Sequence, residues 1–179
     1  MLDAAAKQAE MPLCDYIGGR ARDSVEWAAY LFYKFADENG QGEIATGAAL
    51  DPEGFLKQAE EFVERYGFKA LKIKGGFYEP DVDIETFRLL RKRFPKQDGY
   101  EIRIDPNAVW TIETSIRVAK EIEQYEPQYL EDPTDTIADH AELKKHTDIP
   151  TASNMCVSAF SHVKPNAQLE GIDVILGDH

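Results

Sequence analysis

Cationic residues, cysteine and long apolar runs are all scarce in this chain, and each shortage excludes something. Only 20 Lys and Arg stand against 33 Asp and Glu, a formal net charge of −13 over 179 residues. Neutralising nucleic-acid phosphates requires Lys and Arg clustered on one face, so no nucleic-acid partner is expected. No apolar stretch approaches the ~20 residues that span a bilayer, and Met1 opens no signal-peptide pattern; no membrane partner and a cytoplasmic location are the expectation. The two cysteines, Cys14 and Cys156, lie too far apart for a metal-ligand spacing and are too few for a disulfide framework. Both are expected to be reduced and structural. Phosphate loops of the GxGxxG or GxxxxGK[ST] kind are missing, and the "KGG" at 74–76 is too short to stand for one.

What is present is a regular alternation. The composition, 43% hydrophobic and 30% charged, is that of a globular protein with room for one core. Strand-like segments are expected at 25–32, 68–75, 100–107, 127–133, 149–154 and 173–178. Segments of helical period lie between and after them, at 51–67, 81–94, 111–125, 136–147 and 159–170. The segment at 51–67 opens with an Asp cap and a Pro in its first turn, and it closes on Gly. Such alternation means crossover units and a parallel sheet, either an open doubly wound sheet or most of a (β/α)8 barrel.

The ends of the strands favour the barrel. Residues two apart on a strand share a face, so Lys72 and Lys74 point together, away from Leu71 and Ile73. Helices covering the outer face demand the apolar set, which sends the lysines inward. The same parity turns Arg103 and Asp105 inward against Ile102 and Ile104, and Glu131 inward against Leu130. Asn154 and Asp178 close the next two strands. Solvation at a loop start explains any one of these residues; five successive strands ending this way converge on one mouth, where a barrel builds its active site. Asp105, Glu131 and Asn154 are hard oxygen donors suited to Mg²⁺, and with no Cys or His among them zinc is not expected there. Lys74, beside a cation and a second ammonium, is destabilised in its charged form and suits a general base near neutral pH. Lys72 then tunes its neighbour and holds an anionic substrate. Such a site suits removal of a proton next to a carboxylate.

The motifs "YLF" (30–32), "LKIKGG" (71–76), "IDPNAVW" (104–110), "YLEDPT" (129–134) and "ASNMCV" (152–157) together resemble the enolase superfamily, and more narrowly its glucarate dehydratases and related acid-sugar dehydratases. The resemblance runs over nearly the whole chain and implies a partial (β/α)8 TIM barrel of about six units in an α/β fold. It implies Lys74 as base, Lys72 against a substrate carboxylate, and Asp105, Glu131 and Asn154 around Mg²⁺. Asn107, Tyr30 and Asn154 would face substrate. Asp178 would orient a histidine from a seventh strand, the base on the opposite side. The implied reaction takes the α-proton of an aldarate and expels its β-hydroxyl, giving a keto-deoxy acid. No Glu follows "EDP", which leaves Asp135 and Asp139 as weaker metal candidates.

The family's N-terminal capping domain, its last two strands and that histidine are not found. Residues 1–23 resemble the connector from the cap and residues 24–179 the barrel itself, so an internal piece of a longer protein is expected. His140, His146 and His162 are expected on the outside as surface or packing residues. A homo-oligomer is an open expectation for the full-length protein. Rival readings are a racemase or epimerase of the same superfamily, a non-catalytic homologue paired with a complete enzyme, and an open-sheet binding protein.

Overall fold

A computed structural model describes residues 1–36 and 47–177. Six strands, β1 (Ala28–Leu31), β2 (Ala70–Lys74), β3 (Glu101–Asp105), β4 (Leu130–Glu131), β5 (Thr151–Ser153) and β6 (Val174–Ile175), form one sheet in sequential order, every neighbouring pair parallel. Two short helices, α1 (Leu2–Gln8) and α2 (Leu13–Tyr16), precede them. The crossovers carry α3 (Pro52–Tyr66), α4 (Pro80–Arg93), α5 (Ile112–Ile122), α6 (Ile137–Leu143) and α7 (Phe160–Leu169). This is the curved parallel array of a partial (β/α)8 barrel.

Local sequence fixes the helix ends. Asp51 accepts from Gly54 N at 2.7 Å and Pro52 fills the first turn of α3, while Gly67 at φ 70° ends it. Thr111 and Thr136 cap α5 and α6 in the same way, accepting from Thr114 N and Asp139 N. Near the N-terminus, Glu10 at φ 53° and Pro12 separate α1 from α2.

Parity along the strands sorts the core from the interior. Leu71, Ile73, Ile102, Ile104 and Leu130 are fully buried against Phe55, Phe87, Leu90, Val118, Ile122 and Leu143 of the helices. Buried Gln58 of α3 ties its helix to the end of β1, its amide donating to Phe32 O and its carbonyl accepting from Phe32 N, both at 3.0 Å. The strands are shorter than the sequence suggests. β4 stops at Glu131 because Asp132 turns into the left-handed region at φ 41°, and β6 keeps only Val174 and Ile175, both exposed. Asp178, expected to end β6, lies outside the described residues.

Candidate active site and metal centre

The register of the sheet assembles the site. Tyr30 pairs with Lys72, Lys72 with Arg103, and Lys74 with Asp105 across β1, β2 and β3. Lys72 Nζ donates to Glu131 Oε1 at 2.6 Å and lies 3.0 Å from Asp105 Oδ2. Lys74 Nζ donates to the same Asp105 oxygen at 2.7 Å. The Tyr30 ring covers the pair, its centroid 4.7 Å from Lys72 Nζ and 5.8 Å from Lys74 Nζ. Asn107, held at φ 55°, donates its backbone N–H to Asp105 Oδ1 at 2.9 Å. These residues and Asn154 line one cleft of about 460 Å³ at the C-terminal ends of the strands. Every inward residue read from the sequence is therefore here except Asp178, which is not among the described residues. A second hollow of about 530 Å³, lined by Trp27, Phe68, Glu101 and Gln128, opens at the opposite ends of the strands. It contains none of the residues assigned a role above.

Burial and charge pull against each other in the cleft. Asp105 and Glu131 are each 3% exposed. Burial pushes the Glu131 carboxyl above its usual range, with the Lys72 ammonium working the other way. For Lys72, burial favours loss of the proton, but its bonds to Glu131 and Asp105 outweigh that and hold it above an ordinary lysine. Both ammoniums thus sit on carboxylates that a divalent cation would share.

The donor set fits Mg²⁺ on an observation of its own. Glu131 Oε2 is buried without a hydrogen-bond partner, an acceptor left over after Lys72 takes Oε1. Carboxylate oxygens of Asp105, Glu131 and Asp132 lie within 4.8 Å of one another, and Asn154 lines the same cleft. All of these donors are oxygen, as Mg²⁺ requires. Asp132 was missed by sequence reasoning because strand alternation sends it to the other face; only its left-handed backbone brings it back. It accepts from Ser153 Oγ and, at 3.5 Å, from Asn154 N, fastening β4 to the end of β5. The weaker candidates fall away. Asp135 is exposed, and Asp139 Oδ2 accepts from Thr136 Oγ1 at 2.8 Å in the first turn of α6; neither joins the carboxylate group. His140 lies on α6, fully buried, the packing place that was one of the two expected for it. His146, just past that helix, pairs with Glu142 at 3.2 Å.

Comparison with known proteins agrees with this geometry. Residues 54–179 match the family described as Enolase C-terminal domain-like. The chain is 41% identical to a "probable glucarate dehydratase" of Streptomyces coelicolor, over 99% of this chain and 41% of the relative. It is 27% identical to a D-Ala-D/L-Ala epimerase of Cytophaga hutchinsonii, over 74% of this chain and 31% of that one. An enolase of Gibberella zeae, crystallised with magnesium, formate and sulfate, superposes with a TM-score of 0.85 at 46% identity, covering 99% of this chain and 41% of that structure. The chain thus spans less than half the length of the relatives it matches. With its parallel strands, its inward lysines and its carboxylate cluster, the chain belongs to the Enolase C-terminal domain-like family of the enolase superfamily.

Proposed function

We propose that this chain is the greater part of the barrel of a Mg²⁺-dependent dehydratase acting on an aldaric acid of the glucarate type. One observation carries the reading: two lysines and two buried carboxylates from β2, β3 and β4 meet within 3.0 Å, with one carboxylate oxygen left unpartnered. Asp105, Glu131 and Asn154 would hold the metal, which when bound supplies positive charge to the substrate carboxylate as the α-proton leaves.

The chain's own residues would do the rest. Lys74, released from Asp105, takes the α-proton at Nζ. Lys72 stays protonated, as its raised pKa favours, and donates to a substrate carboxylate. The Tyr30 ring closes one side of the pair against water, and Asn107, on its left-handed turn, presents its side-chain amide to substrate hydroxyls. Asp178 keeps the role the resemblance implies, orienting a histidine base on the opposite face. Residues 1–23 serve in this reading as the connector from a capping domain.

A second reading within the superfamily, an epimerase, is favoured by the dipeptide epimerase relative. Incubating the full-length protein with glucarate or galactarate in D₂O, with and without Mg²⁺, separates the two. A keto-deoxy product formed only with Mg²⁺ is expected. Exchange or epimerisation without loss of water would overturn the dehydratase reading, and turnover in chelator would overturn the metal.

A further inference from the structure

Behind the cleft, between α6 and the ends of β4 and β5, lies a group that the proposed reaction does not use. Side-chain ligand atoms of Asp132, His140 and Cys156 lie within 4.8 Å of one another. His140 is 0% exposed, and neither of its ring nitrogens makes a hydrogen bond of ordinary distance and angle; the Thr134 backbone beside the ring offers it only a weak hydrogen bond outside that geometry. A buried imidazole so weakly partnered forfeits most of the hydrogen bonding it has in water, a cost that a ligand would remove. The Thr134 hydroxyl next to it is also buried and unpartnered. Cys156 Sγ lies 3.8 Å from the Thr134 carbonyl and beside the Ser153 hydroxyl, and its backbone N–H is held by Ser153 Oγ at 2.8 Å.

We propose that Asp132, His140 and Cys156 form a second cation site, for a divalent ion of borderline softness such as Zn²⁺. The donor types decide the ion. A thiolate, an imidazole and a carboxylate are the ligands of tetrahedral Zn²⁺ or Co²⁺, whereas Mg²⁺ takes oxygen alone. Ligand atoms on one such ion stand roughly 3.3–3.7 Å apart, given metal–ligand distances of about 2.0–2.3 Å, so the three side chains would draw together on binding, with Asp132 turning an oxygen from Ser153 Oγ or Asn154 N to the ion. Binding releases the Cys156 proton to solvent and leaves the fourth position to Thr134 or water. The ion would tie α6 to the β4 and β5 ends that carry Glu131 and Asn154, and through Asp132, whose carboxylate also lies beside those of Asp105 and Glu131, it would position the Mg²⁺ ligands.

Co²⁺ is the probe, titrated into the chelator-stripped full chain in excess Mg²⁺, because a thiolate on Co²⁺ gives a near-ultraviolet charge-transfer band that no oxygen site gives. The expected result is a band saturating at one equivalent, kept in Cys14→Ser and lost in Cys156→Ser. His140→Leu, which fills the buried space with an apolar group, should weaken Co²⁺ binding by roughly tenfold or more. A wild-type chain without the band overturns the proposal, whatever the variants do. So does a band that survives Cys156→Ser, vanishes in Cys14→Ser, or keeps its affinity in His140→Leu.

Discussion

At the scale of single residues, the cleft is a balance between two ammoniums and two carboxylates in the space of a few bonds. Glu131 shows the balance most clearly, with one oxygen bonded to Lys72 and the other buried and unpartnered. Glu131→Gln keeps the shape but removes a charge, and Mg²⁺ affinity should fall roughly tenfold or more by calorimetric titration. Unchanged affinity would remove Glu131 from the metal set. Asp83, outside the cleft, allows a test by pH. Burial raises its pKa to about 6 from 3.8, against the hydrogen bonds it accepts from Gly76 N and Tyr33 OH. Between those values the folded chain keeps a proton that the unfolded chain releases, so this group favours folding most at low pH and its contribution is lost as pH rises through 6. The gap corresponds to about 3 kcal/mol. In chemical denaturation, Asp83→Asn should therefore gain about 2–3 kcal/mol relative to wild type between about pH 4 and pH 7.5. Parallel stability profiles would contradict it. Most of the cleft was legible at this scale, because strand alternation assigns Lys72, Lys74, Asp105 and Glu131 to one face without any coordinates. Asp132 was not legible, since its direction depends on a positive φ that no pattern of apolar residues encodes.

At the scale of elements, the turns after β2 and below α4 do the positioning. Gly76 has φ 75°, and a Cβ there would stand 2.5 Å from Val109 Cγ2 and 2.8 Å from Pro106 O. Since the loop of Pro106 and Asn107 begins directly after Asp105, Gly76→Ala would displace the very turn that orients the site. A loss of roughly 2–3 kcal/mol is expected in thermal or urea unfolding. Arg91 of α4, 8% exposed, fastens the other end of the barrel by donating to the carbonyls of Tyr125, Phe94, Tyr100 and Glu126. Arg91→Met keeps the aliphatic stem but strands those acceptors, and should cost roughly 3 kcal/mol or more; a loss below about 1 kcal/mol would show that water takes over the carbonyls. The "KGG" that is too short for a phosphate loop thus has a structural meaning, which required the neighbouring strand to be seen. Helix placement was legible through caps and glycines. Strand length was not, since a parallel strand ends where its partner's carbonyls do, and β4 pairs with β3 at a single residue pair, Ile104 with Leu130.

At the scale of the whole molecule, the described sheet has two outer strands, β1 and β6, with no further strand beyond them among the described residues. Beside β6, Val174 and Ile175 are exposed, Phe160 is 97% exposed, and Val163 is 40% exposed. An apolar edge of this kind favours association. The 179-residue chain alone should bind a hydrophobic dye and self-associate in sedimentation; a monodisperse monomer melting in one cooperative step would contradict that. The partial barrel was legible from the alternation of strands and helices together with the polar residues at the strand ends, whereas the substrate was not, because groups that distinguish one acid sugar from another do not reside in the inward strand parity. The most direct test concerns Lys74. In the full-length protein, exchange of the substrate α-proton with D₂O should fall by about three orders of magnitude or more in Lys74→Ala, with Mg²⁺ binding retained by calorimetry. Exchange at the wild-type rate in a variant that still binds Mg²⁺ would show that another group takes the proton, and would refute the proposed role of the cleft.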